Sequence, residues 1–231
     1  MSNAASNRLL DSLSRKSRQS VIEKSNLVEL SVRQTLSEAG GAPKSAFFLL
    51  SGFASEVVQL ADGEFVEIGL VGNEGLTGSY YLLGPSSSLH RCFIQTKGTA
   101  YEIPFPELEK LFANSPELRN GILKYVQHQI AHLAQTAACN RVHDAAPRFA
   151  RWLLTVQDRT RAVEFSLTQD FLAQMLGIGR PTLNIVARSF EKAGLVGHRR
   201  GSIHILNRSG LRAMSCVCYE TTRQVFVGLY A

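Results

Sequence analysis

The 231-residue sequence predicts an α+β chain in which an antiparallel β-domain is followed by one long helix and then by a helix-turn-helix with a β-wing. Three observations predict it. Between Leu27 and Ile103, brief β-like runs alternate with Gly-rich turns. From Pro116 to Cys139 an apolar stripe repeats at helical spacing. From Leu167 to Leu206, two short helical patterns flank a Gly-Ile-Gly break and lead into an alternating strand pair. With 45 % hydrophobic and 19 % charged residues, the chain falls in the globular class and outside the disordered one. No apolar stretch approaches the roughly 20 residues of a membrane span. The polar start, Met1 to Asn7, has no apolar signal core, so the cytoplasm is the expected location.

Asn7 to Lys24 reads as one amphipathic helix carrying Leu9, Leu10, Leu13, Val21 and Ile22. The strands expected after it are Leu27–Val32, Phe47–Leu50, Ser55–Leu60, Phe65–Val71, Arg91–Thr96 and Thr99–Ile103. Short strands at this spacing suit an antiparallel barrel or sandwich, and Asp62-Gly63 between apolar runs marks a hairpin. Helical periodicity resumes at Pro106. In the long helix, Ile122, Val126, Ile130, Leu133 and Ala137 recur at coiled-coil spacing, and this stripe is expected to be a dimer seam. His128 and His132 lie four apart, a spacing that metal sites use, but no third ligand accompanies them. They read as surface histidines, and no metal ligand is expected. Pro147 opens a further helix with Phe149, Trp152, Leu153 and Val156 on one face.

Charge is unevenly placed. Residues 1–140 hold 12 Lys+Arg against 13 Asp+Glu, whereas residues 141–231 hold 13 against 6, and 12 of those 13 are Arg. Arg forms forked hydrogen bonds to phosphates and to guanine edges, so the C-terminal half suits an anionic partner such as nucleic acid. The four cysteines, Cys92, Cys139, Cys216 and Cys218, lack Cys-x-x-Cys spacing and read as free thiols. Cys216-x-Cys218 leaves a redox or metal role open beside ordinary packing.

The most specific motif follows. Thr168–Leu176 reads as a capped helix, Gly177-Ile178-Gly179 breaks it, and Pro181–Ala193 forms a second helix with Pro in its first turn. Leu172, Leu176, Ile178, Leu183 and Val186 supply a shared core, while small Ala173 permits close helix approach. The second helix then turns Arg180, Thr182, Asn184 and Arg188 outward, side chains able to read base edges in a major groove. His198-Arg199-Arg200-Gly201 forms a basic turn between strands, placing Arg199 and Arg200 over a phosphate backbone. No Ser/His/Asp set, phosphate-binding glycine loop or paired carboxylates stand out, so no enzyme is expected.

Taken together, the order of domains resembles the Crp/Fnr family of bacterial transcription regulators. In the N-terminal half the resemblance rests on Ser51-Gly52, Ala61–Gly69 and Val71-Gly72-Asn73-Glu74-Gly75-Leu76-Thr77-Gly78. In the C-terminal half it rests on Leu167–Ala173 and Phe190-Glu191-Lys192-Ala193-Gly194-Leu195-Val196. It implies a cyclic-nucleotide-binding-like β-roll as sensor in residues 1–113, a dimerisation helix in 114–140, a winged helix-turn-helix in 141–219 and a tail in 220–231. It also implies phosphate contacts from Thr168 and Gln169 and a base contact from Arg180. The implied partners are duplex DNA, a second copy of the chain and RNA polymerase, with no membrane.

Departures from the family pattern are as informative. Pro181 and Ile185 stand where a Glu and an Arg usually follow the recognition-helix Arg, so the usual operator does not carry over. Gly78-Ser79 replaces the Gly-Glu pair that holds the ribose in cyclic-AMP-binding members, and Arg91-Cys92 replaces the phosphate-binding Arg-Ser or Arg-Thr. These four residues mark the expected effector pocket, which is not expected to hold cyclic AMP tightly. The N-terminal cysteine cluster of iron–sulfur members is missing too. No cofactor is expected, and the sequence names no effector. The alternative reading is a ligand- or redox-responsive protein acting through protein contacts.

Overall fold

The computed structural model describes residues 6–61, 63, 65–84, 87–88, 90–160, 162–199 and 201–230. The chain opens with two short helices, α1 (Arg8–Asp11) and α2 (Arg15–Ile22), where one was expected. Two caps divide them. Asn7 Oδ1 accepts from the Leu10 amide at 3.1 Å, and Ser14 Oγ accepts from the Ser17 amide at 3.4 Å, so the chain starts a helix twice. The break lets Leu9, Leu10 and Leu13 turn into the core while Ser14 donates to the Glu117 carboxylate of a later helix.

Strands β1 (Asn26–Leu30), β2 (Thr35–Ser37), β3 (Ser45–Leu49), β4 (Phe53–Gln59), β5 (Phe65–Val71), β6 (His90–Thr96) and β7 (Gly98–Pro104) form two antiparallel sheets. Their orders are β1-β7-β3 and β2-β6-β4-β5. Strand β2, only three residues long, has no counterpart in the sequence expectation. β4 and β5 pair from Ala54↔Val71 to Gln59↔Phe65; the expected turn residue Asp62 lies outside the described residues. Phe48, Leu49, Leu76, Ile94 and Ile103 fill the space between the sheets. Each such side chain contributes roughly 1.5–3 kcal/mol on burial. In the loop after β5, Gly75 is needed: a Cβ there would lie 2.3 Å from the ring of Tyr125.

After α3 (Phe105–Asn114) comes α4 (Pro116–Val142), 27 residues and so about 40 Å long. Ser115 caps it, its Oγ accepting from the Leu118 amide at 3.3 Å. The helix runs three residues beyond the expected end. Its buried face carries Ile122 and Val126 into the β-domain core, which corrects the expected seam: these two residues are covered by their own chain. Ile130 and Ala137 are exposed and Leu133 half-buried. His128 and His132, expected on the surface, are buried beneath a C-terminal helix, and burial pushes His128 down to about 4.

The remainder comprises α5 (Ala145–Thr160), β8 (Glu164–Ser166), α6 (Gln169–Leu176), α7 (Arg180–Lys192), β9 (Val196–Arg199), β10 (Ser202–Ile205), α8 (Arg208–Met214) and α9 (Val217–Gly228). β8 joins the wing as an outer strand, giving the order β8-β10-β9. A second core gathers Phe149, Leu153, Phe165, Leu172, Leu183, Phe190 and Ile203. Residues 220–231, expected as a tail, hold most of α9, which packs on α4 and α5. Among the described residues, no helix is long and apolar enough to cross a membrane.

Candidate nucleic-acid interface

Local chemistry sets the two motif helices. Thr168 caps α6, its Oγ accepting from the Phe171 amide at 3.3 Å. Gly177 ends it in the left-handed conformation, φ +57°, which glycine adopts without steric cost. α7 then starts at Arg180 with Pro181 in its first turn. Leu172, Ala173 and Leu176 meet Leu183, Val186 and Ala187 inside the second core. The opposite faces stay open. Thr168, Gln169, Arg180, Thr182, Arg188 and Arg199 are exposed and Asn184 is half-buried. Thr168, Gln169, Arg180, His198, Arg199 and Gly201 line one groove between the starts of both helices and the wing. Thr182, Asn184 and Arg188 continue along α7 outside that lining. Arg200 lies outside the described residues. Ile185, which departs from the family pattern in sequence, is 72 % exposed on α7.

Residues 147–214 match the family model described as a Crp-like helix-turn-helix domain. The chain is 29 % identical over 121 residues to the transcriptional activator protein Anr of Pseudomonas aeruginosa, covering 49 % of this chain and 50 % of that protein. With the transcriptional activator protein FnrA of Stutzerimonas stutzeri it shares 25 % over 197 residues, 79 % of this chain and 77 % of the relative. These matches support the Crp/Fnr family for this chain. Solved structures agree in fold. FixK2 from Bradyrhizobium japonicum superposes with a TM-score of 0.70 at 14 % identity, covering 84 % of this chain and 98 % of that one. The c-di-GMP-responsive regulator CLP of Xanthomonas campestris gives 0.69 at 16 %, over 84 % of this chain and 100 % of the other. The fold is thus a family β-roll, long helix and C-terminal helix-turn-helix, and the named relatives are regulators, not enzymes.

The β-roll interior is acidic. Glu56, Glu67 and Glu74 are all buried. Glu67 accepts from Ser55 Oγ and from Trp152 Nε1 of α5, both at 2.6 Å. Glu74 pairs with Arg159 of α5 at 2.9 Å. Burial pushes Glu56 and Glu67 up to about 7, Glu67 despite its two hydrogen bonds. Around them, Glu56 Oε1, the hydroxyls of Tyr80 and Tyr125, and both ring nitrogens of His128 have no hydrogen-bond partner. Buried polar atoms are normally satisfied, so these unpaired groups set the seam between β-roll and α4 apart from the apolar core around it.

The expected effector residues do not converge. Gly78 is left-handed, and Ser79 Oγ donates to Gln129 Oε1 of α4. Cys92 points inward beside Glu56, and burial holds its thiol well up. Arg91 is the correction: neighbours on a strand face opposite ways, so it lies on the outer face. There it donates to Thr35 Oγ1 at 2.8 Å and lies 3.4 Å from Glu38, with the rings of Phe65 and Phe93 beneath it.

No metal ligand was expected, yet Cys139, His143, Cys216 and Cys218 place their donor atoms within 4.8 Å of one another. The sequence signal was Cys139-x-x-x-His143, one helical turn, together with Cys216-x-Cys218. The hydrogen bond between Cys139 and Cys216 lowers Cys216 and raises Cys139.

Proposed function

We propose that the chain is a homodimeric, sequence-specific DNA-binding transcription regulator that reads a two-fold operator. The observation carrying this reading is the groove of Thr168, Gln169, Arg180 and Arg199 within a Crp-like helix-turn-helix match. Backbone and hydroxyl groups at the start of α6 and Arg199 of the wing suit phosphates, as does neighbouring Arg200 in sequence. Arg180, Thr182, Asn184 and Arg188 suit base edges, and the exposed Ile185 suits a thymine methyl group. The relatives' names as transcriptional activators support RNA polymerase as a further partner, and a DNA target favours the cytoplasm. In this reading residues 1–113 sense, 114–140 dimerise and 141–219 bind DNA.

For the dimer, the exposed face of α4 supplies a different register from the expected stripe. Leu123, Gln127, Ile130, Ala134 and Ala137 recur at steps of four and three on its solvent side, with Ile130 59 % exposed. Small alanines there permit close approach of a second helix. Cyclic AMP is not the effector in this reading. A cyclic phosphate would meet three buried carboxylates, of which only Glu74 pairs with a guanidinium among the described residues.

The deciding experiment is selection of bound fragments from a random duplex pool, followed by a salt titration of the best site. The affinity is expected to fall steeply, with a log–log slope of roughly −0.9 per phosphate neutralised. Failure to enrich any sequence overturns the reading. In parallel, Ile130→Glu is expected to yield monomers by sedimentation, whereas Val126→Glu disrupts the protomer core itself. A dimer that survives Ile130→Glu removes the proposed seam.

A further inference from the structure

We propose that Cys139, His143, Cys216 and Cys218 bind a Zn2+ ion in a tetrahedral site that staples the hinge between the long helix and the DNA-binding domain to the C-terminal helix. The site is assembled from separate segments. Cys139 sits on the last turn of α4, and His143 is the residue that ends that helix. Cys216 immediately precedes α9, and Cys218 lies in its first turn. The sequence separation from Cys139 to Cys216 is 77 residues, so only the fold brings these donors together.

The distances suit a metal. At Zn–S of about 2.3 Å and Zn–N of about 2.0–2.1 Å, a tetrahedron has S···S edges of about 3.8 Å and S···N edges of about 3.5 Å. Here Cys139 Sγ and Cys216 Sγ are 3.5 Å apart, and Cys218 Sγ lies 3.6 Å from His143 Nδ1. All four donor atoms fall inside 4.8 Å, as four ligands of a common ion must.

The surroundings suit it as well. Gln135 Nε2 donates to Cys218 Sγ at 3.0 Å, the kind of outer contact that orients a ligating sulfur. Three thiolates and a neutral imidazole around Zn2+ carry one net negative charge. Arg148 and Arg151, 8 % and 5 % exposed, have no carboxylate within salt-bridge distance among the described residues, and both interact electrostatically with this thiol cluster. They offset that charge. Two thiols alone would satisfy a disulfide, but that would leave Cys218, His143 and the bond from Gln135 unexplained.

The position gives the site a consequence. Between the end of α4 at Val142 and the start of α5 at Ala145 lie only His143 and Asp144. A metal held by His143 therefore ties this hinge to α9 and fixes the angle at which α5 leaves the long helix.

The test uses the full chain, reduced, stripped of metal and kept anaerobic, titrated with Co2+ and then Zn2+. Expected are sulfur-to-cobalt charge transfer and the intense visible bands of tetrahedral Co2+, saturating at about one equivalent per chain and bleached by Zn2+. Cys139→Ser, Cys216→Ser and Cys218→Ser are each expected to abolish them. Because a serine variant can fail to fold, His143→Cys is the second arm: it keeps the tetrahedral bands and strengthens the charge transfer. The proposal is overturned if the wild-type chain shows no such bands, or if they survive all three serine variants. It is equally overturned if Cys139 and Cys216 form a disulfide that resists reduction and no metal binds. These readouts are independent of DNA binding, so this site and the regulatory reading fail separately.

Discussion

The arginines of the C-terminal half divide into two populations that sequence counting merges. Arg148, Arg151 and Arg159, all on α5, are buried, with exposures of 8 %, 5 % and 5 %. Arg180, Arg188 and Arg199, on α7 and the wing, are exposed. The inner set faces the β-roll carboxylates and the thiol cluster, and the outer set faces solvent around the motif groove. One residue type thus performs two jobs, joining domains and presenting charge. The positive excess of this half overstates the charge available to DNA, because part of it is neutralised inside the molecule.

Removing one partner of the inner pair gives the largest expected effect. Arg159→Met leaves Glu74 buried and unpaired, which costs about 3–5 kcal/mol, whereas Arg188→Ala stays within about 0.5 kcal/mol. Adding Glu74→Gln to Arg159→Met is expected to restore most of the loss, since replacing both partners removes the stranded charge. Thermal or urea denaturation of the four proteins checks this. Equal stability of Arg159→Met and Arg188→Ala would erase the distinction between the two sets.

The acid side of the inner region titrates. Burial raises Glu56 from 4.5 to about 7, and Glu67 likewise. A carboxyl raised on folding binds protons more tightly in the native state. Its contribution is therefore fully present below pH 4.5 and is lost as pH rises through about 7. Each group accounts for up to about 1.4 kcal/mol per pH unit across that window. Glu56, whose Oε1 has no partner, is the cleaner probe. Glu56→Gln is expected to flatten the stability–pH curve and to raise stability at pH 8. An unchanged curve means that the carboxyl is solvated.

The outer region was legible in sequence because its signals are local. A cap at Thr168, a left-handed Gly177 and Pro181 in a first turn each act within four residues, and α7 starts where they put it. The inner region was not, because its partners are far apart. Glu67 meets Trp152 and Glu74 meets Arg159 across 85 residues in each case, and no periodicity records such a pairing. Helical spacing likewise reported that Ile122, Val126 and Ile130 share a stripe, but not that the β-roll covers its first turns. The β-domain strands were visible as apolar runs, while three-residue β2 and β8 are too short to show a period.

Within the outer set the smallest effects separate reading from gripping. Arg180 stands at the first position of α7 and Arg199 ends β9; in the proposed reading the first suits guanine O6 and N7 and the second a phosphate. Arg180→Ala is expected to cost about 1–3 kcal/mol of binding at one base pair and to relax the preference there. Arg199→Ala is expected to weaken all sequences alike, by less, and to make the salt slope shallower by about 0.9. Anisotropy titrations of each variant against the selected site, its single-base variants and a random duplex, at several salt concentrations, distinguish the two. A uniform loss for Arg180→Ala with a shallower slope would reassign it to the phosphate backbone. Base discrimination would then fall to Thr182, Asn184, Ile185 and Arg188, farther along the same helix.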